Sequence, residues 1–119
     1  ILLADDEEIV RDLGNTVLKN FGYNVIVAKD GEEALSLYKT KQNEIGLVIA
    51  DYSMPKLNGI DTINHIHKID PTQKVILVSG YIVNGETIGS IKHGIHAFIQ
   101  KPYQPEYLAM KVREILDGQ

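Results

Sequence analysis

At 119 residues, with 12 Lys and Arg against 16 Asp and Glu, the chain is one domain by length, residues 1–119, and mildly acidic. That balance excludes a general nucleic-acid backbone binder, which carries a basic stripe; the lack of cysteine excludes disulfides and thiolate metal sites; and no apolar run approaches the ~20 residues that span a bilayer. The sequence starts without a methionine and runs directly into strand-like residues, so no signal peptide is read, and a soluble cytoplasmic domain is expected.

In chain order, a β-branched-rich apolar run at 1–4 stops in four acids, Asp5, Asp6, Glu7 and Glu8. Helical spacing follows, carried by Ile9, Leu13 and Val17 and by Val10, Val17 and Phe21. A second apolar run covers 25–28, and Asp30-Gly31 then opens a helix with Ala34, Leu35 and Tyr38. The third run, 47–50, is followed by Asp51 and a loop in which Pro55 cannot extend the strand and Asn58-Gly59 makes a turn before the next helix. Met54 is expected to pack inward. The fourth run, 75–78, precedes Ser79. Residues 85–94 should form the next helix but include Gly85, Gly89 and Gly94 beside Thr87, Ile88 and Ile91; each interior glycine costs about 1 kcal/mol against alanine, which makes this the least rigid helix expected. The fifth run, 97–99, leads to Lys101, and after Pro105 the residues Leu108, Val112, Ile115 and Leu116 trace a last helix that stops at Gly118. Uniformly apolar strands suit a parallel sheet covered on both faces. Five strands and five helices in alternation imply a doubly wound α/β sheet, with ligands at the carboxyl ends of its strands.

Those ends explain the acids. Glu7 and Glu8 read as complements to a helix dipole. Asp5 and Asp6 do not, because Asp51 adds a third carboxylate to the same rim. A hard divalent cation relieves that repulsion, and Mg²⁺ takes one or two carboxylates with waters and phosphate oxygens. Ser79 and Lys101 bring a hydroxyl and a fixed cation to the rim. The chemistry implied is phosphoryl transfer onto a carboxylate, with charge neutralised by metal and lysine.

Asp5-Asp6, the stretch DYSMPKLNG over 51–59, Ser79-Gly80 and Lys101-Pro102, in this order and at these spacings, make the whole chain resemble the receiver domain of two-component response regulators. The resemblance implies a flavodoxin-like (βα)5 sheet of order 2-1-3-4-5 with two helices on one face and three on the other. It implies that Asp51 accepts phosphate from the phosphohistidine of a sensor histidine kinase or a histidine phosphotransfer domain. Mg²⁺ would be held by Asp6, Asp51 and the Ser53 backbone carbonyl, with Asp5 reaching it through water, while Ser79 and Lys101 contact phosphoryl oxygens. The Lys101–Pro102 bond would be cis, aiming the lysine into the pocket. Phe98, three residues before Lys101, stands where the family carries its switch aromatic; lacking a hydroxyl, it would act with Ser79 by ring burial alone. Ser53 and Tyr81 would govern the hydrolytic water, with the Tyr81 ring shielding it and slowing dephosphorylation.

His65, His67, His93 and His96 lack a strong ligand spacing and read as solvated surface histidines. An aspartate-nucleophile phosphatase is the alternative function, but such enzymes carry Asp-x-Asp on the first strand and a cap domain. A degenerate receiver acting as an interaction module would lack site residues that are present here. The domain is therefore read as a phosphoacceptor rather than an enzyme, with no direct nucleic-acid or membrane partner and with phosphorylation-dependent dimerisation open. The stretch GYIVNGE is similar to receivers of hybrid sensor kinases.

Overall fold

The computed structural model describes residues 1–80 and 95–118. The elements are β1 (Leu2–Ala4), α1 (Glu8–Asn20), β2 (Ile26–Ala28), α2 (Gly31–Lys41), a 3-10 turn (Gln42–Glu44), β3 (Leu47–Asp51), α3 (Gly59–Ile69), β4 (Lys74–Ser79), β5 (Ala97–Gln100) and α4 (Pro105–Asp117). The helix expected over 85–94 lies outside the described residues, as do Tyr81 and His93. All strand pairs are parallel, in the order β2-β1-β3-β4-β5. β1 and β3 pair Ala4 with Ala50, so the chain reverses its winding direction at β1, and the strand ends beside that point open a crevice.

Side chains alternate across each strand and so split the core into two layers. On one face Leu2, Ala4, Val48, Ala50 and Leu77 meet Ala34 and Tyr38 of α2 and Ile63 and Ile66 of α3. On the other Leu3, Ile49, Ile76 and Val78 meet Leu18 of α1 and Leu108 and Val112 of α4. Among the described residues, two helices therefore cover each face. Tyr38 reaches the first layer with its hydroxyl satisfied, donating to Gln73 Oε1 at 2.9 Å.

Helix starts follow local chemistry. Asp30 accepts from the Glu33 amide at the start of α2 and Asn58 accepts from the Asp61 amide at the start of α3, both at 2.8 Å, each satisfying an orphan donor of a first turn. Pro105 occupies the first turn of α4, where its missing N–H costs nothing. At the far end of α4, Lys74 Nζ donates to the Ile115 and Gly118 carbonyls at 3.0 and 3.4 Å.

One stripe behaves differently from its sequence pattern. In α1 the buried residues are Gly14 and Leu18, whereas Ile9 is 83%, Leu13 47% and Phe21 59% exposed. A Cβ on Gly14 would meet Leu3 Cδ2 at 3.0 Å. The glycine thus lets α1 approach β1 closely, and the Ile9–Leu13 stripe turns away from the sheet.

Candidate functional site: an acidic crevice at the strand ends

Four strands deliver the site. Asp5 directly follows β1, Asp51 closes β3, Ser79 closes β4 and Lys101 follows β5 by one residue. Backbone bonds carry the ladder past the strand ends: Asp5 N donates to Ala28 O at 3.1 Å, Tyr52 N to Val78 O at 2.6 Å, and Lys101 N to Ser79 O at 2.7 Å. The site residues are in this way held by the sheet rather than by free loops. Gly59 closes the loop after Asp51, because a Cβ there would collide with the Asp51 carbonyl. Met54 in that loop is buried.

Asp5, Asp51 and Ser79 are buried while Asp6 is exposed. The Lys101 ammonium lies 2.9 Å from Asp5 Oδ2 and 3.1 Å from Asp51 Oδ2. The other oxygen of Asp5 accepts from the Glu7 amide at 2.9 Å, and Arg11 Nη1 donates to the Asp5 carbonyl at 2.9 Å. One oxygen from each of Asp5, Asp6 and Asp51 lies within 4.8 Å of the others. This donor set is all oxygen and opens to solvent at Asp6, which fits a hard divalent cation.

The electrostatics show the strain of gathered acids. Burial, then the charge of Asp5, pushes the Asp51 carboxyl up from 3.8 to about 6, against the opposing pull of Lys101. Burial alone would lower Lys101, but its hydrogen bonds and charge attraction to Asp5 and Asp51 outweigh that and lift it to about 12. The lysine is therefore a permanent cation, and Asp51 is mostly ionised at neutral pH.

Several other residues stand close by or apart. Glu7 Oε1 lies 3.7 Å from the Lys101 ammonium, so it faces the site as well as the helix start, where its side chain makes no capping bond. Tyr103, half-buried, has its hydroxyl pushed up by burial and then by the Asp5 charge; its position two past the lysine is the signal that could have flagged it. Glu7, Val10, Leu13, Gly80, Lys101, Pro102 and Tyr103 line an open groove of about 420 Å³. The Lys101–Pro102 peptide bond is cis. Phe98 packs, partly buried, against the core layer of Leu77 and Ala50. Ser53 is exposed. The histidines are less uniform than solvated side chains would be. His65 and His96 are both exposed, the latter with Nδ1 accepting from the Val75 amide at 3.3 Å, whereas His67 is half-buried with its Nε2 3.0 Å from the Gln73 carbonyl.

Comparison with known proteins agrees with this geometry. The response regulator receiver domain matches residues 1–113. The chain is 35% identical to the chemotaxis protein CheY of Thermotoga maritima, over 97% of this chain and 95% of that protein. It is 33% identical to the sensor kinase CckA of Brucella abortus, over 100% of this chain but 13% of the kinase, and it spans about half the length of the transcriptional regulators it matches. Among solved structures, a CheX–CheY–BeF3–Mg²⁺ complex from Borrelia burgdorferi superposes with a TM-score of 0.89 at 28% identity, covering 96% of this chain and 86% of that one. A sheet of order 2-1-3-4-5 with acids and a lysine at its carboxyl rim is the architecture of a phosphoacceptor signalling module. The chain belongs to the response regulator receiver domain family of two-component systems.

Proposed function

We propose that Asp51 is the phosphoacceptor and that residues 1–119 act as one receiver domain, taking a phosphoryl group from a phosphohistidine on a sensor kinase or phosphotransfer protein. The observation that carries this reading is the Lys101 ammonium, shared between Asp5 and Asp51 at 2.9 and 3.1 Å. A carboxylate oxygen of Asp51 attacks phosphorus in line; the new P–O bond forms as the P–N bond breaks, and the imidazole leaves with the bonding pair. Lys101, fixed by Asp5, balances charge on the transferring group, and the Ser79 hydroxyl offers it a donor. Asp6, Asp51 and the Ser53 carbonyl, with Asp5 through water, are the groups that would hold Mg²⁺, which supplies further charge neutralisation when bound. The Borrelia complex with BeF3 and Mg²⁺ supports extending that chemistry to this chain.

The exposed Ile9 and Leu13 beside the groove at Lys101 suit docking of an apolar helical partner that brings its histidine to Asp51. In the same reading the module catalyses its own phosphorylation and slow dephosphorylation without turning over a separate substrate. Ser53, and Tyr81 outside the described residues, control the hydrolytic water, and Ser79 with Phe98 transmits the change. The test is mass spectrometry after acetyl phosphate and Mg²⁺. Wild type should gain one phosphate and Asp51→Asn none; undiminished labelling of the variant would overturn the assignment.

A further inference from the structure

Glu7 stands at the acidic rim without a structural duty. Its side chain makes no capping bond at the start of α1. Its Oε1 lies 3.7 Å from the Lys101 ammonium, which Asp5 and Asp51 already hold at 2.9 and 3.1 Å. Two buried carboxylates therefore fix the lysine, and a third that is 61% exposed adds little to its hold. Glu7 presents its spare negative charge to whatever approaches Asp51.

The approach itself is defined. Asp51 is buried, so a phosphoryl group reaches it from the solvent side. In-line transfer puts the leaving group on the far side of phosphorus from the attacking oxygen, which points it outward. The open groove of about 420 Å³ lies there, with Lys101 and Glu7 in its lining beside the apolar Val10, Leu13, Pro102 and Tyr103. One ammonium touches both Glu7 and the Asp51 oxygen, so the Glu7 carboxylate is two contacts away from the attacking atom. A flat ring fits such walls, and a ring that carries an N–H also answers the charge.

We propose that Glu7 is a specificity-determining residue, selecting donors whose leaving group is an imidazole ring with an N–H over acyl phosphates. This deepens the phosphoacceptor reading and rests on it. With N-phosphoimidazole, the Asp51 oxygen forms the new P–O bond as the P–N bond breaks, and the bonding pair returns to that nitrogen. The second ring nitrogen keeps its proton throughout, and its N–H donates a hydrogen bond to the Glu7 carboxylate. With acetyl phosphate the bonding pair goes to oxygen, and acetate leaves as an anion with no proton to offer. Glu7 then repels both the incoming donor and the departing carboxylate.

The test compares the two donors on the whole chain in Mg²⁺ buffer, following the one-phosphate mass gain with time. Circular dichroism checks that each variant is folded. Glu7→Gln should be labelled about three-fold faster by acetyl phosphate and about three-fold slower by N-phosphoimidazole, the size expected of one exposed charge. The donor ratio thus moves about ten-fold, and Glu7→Lys should move it further in the same direction. Raising the salt should speed acetyl phosphate labelling of wild type by screening Glu7, and speed that of Glu7→Gln less. Both rates of Glu7→Gln changing by one common factor, or neither changing, would overturn the inference while leaving Asp51 as the phosphoacceptor. A wild type labelled by neither donor would overturn the phosphoacceptor reading and this inference with it.

Discussion

Asp51 sits at the point where burial and charge conflict most. Its carboxyl, pushed up to about 6 by burial and Asp5, holds a proton in the folded state that the unfolded chain has already lost. Native protein therefore binds more protons than unfolded protein between about pH 4 and pH 6. In that window the metal-free domain loses stability as pH rises, and the loss is complete above it. A rise from 3.8 to about 6 corresponds to at most about 3 kcal/mol. Asp51→Asn cannot ionise, and Lys101 keeps Asp5 as its partner in the variant. In EDTA, urea denaturation should find the variant more stable than wild type at pH 8, with the gap closing toward pH 4. A constant gap at both pH values would show that ionisation of Asp51 carries no cost. At this scale the sequence was informative because Asp5, Asp6, Asp51, Ser79 and Lys101 each end or follow a strand-like apolar run, which is visible in one dimension. The contacts of Glu7 with Lys101 and of Arg11 with the Asp5 carbonyl were not, since both depend on how the first turn of α1 leans over the rim.

At the scale of elements, strands were legible to within a residue at their ends, because buried parallel strands are apolar throughout and bounded by polar turns. α1 was not. Its sequence offers two overlapping apolar stripes, and periodicity cannot rank them when the true core position is a glycine. Gly14 contributes no hydrophobic signal, yet its missing side chain is what seats the helix on Leu3. The fold therefore predicts opposite outcomes for two apolar residues of one helix. Leu18, fully buried, should cost about 2–5 kcal/mol on change to Ala by transfer and cavity terms. Ile9, exposed, should stay within about 0.5 kcal/mol of wild type on the same change. Chemical denaturation of the two variants checks this; a large loss at Ile9 would mean that its stripe, and not Leu18, faces the sheet. The tie from Lys74 to the last carbonyls of α4 also escaped sequence reading. It joins residues 41 and 44 apart, and a lysine at a strand start is ordinarily solvated.

For the whole molecule, the fold and the proposed ion site draw on the same carboxylates. The sheet forces Asp5 and Asp51 together through β1–β3 pairing and Asp6 follows on the solvent side, so the fold must form against their repulsion before any cation can be shared. An ion that binds only the folded arrangement stabilises it by mass action, about 1.4 kcal/mol when its concentration is ten times Kd. For a domain of this size that is a rise in Tm of about 5 °C. Asp6 is the right residue with which to test the coupling. It is exposed, so Asp6→Ala removes a proposed ligand without opening a cavity or stranding a buried charge. Thermal unfolding in EDTA should give nearly equal Tm values for wild type and Asp6→Ala. Adding Mg²⁺ should raise the wild-type Tm by several degrees and that of the variant by less than half as much. Equal shifts would place the ion elsewhere on the surface and remove the link between the acidic crevice and the stability of the sheet that builds it.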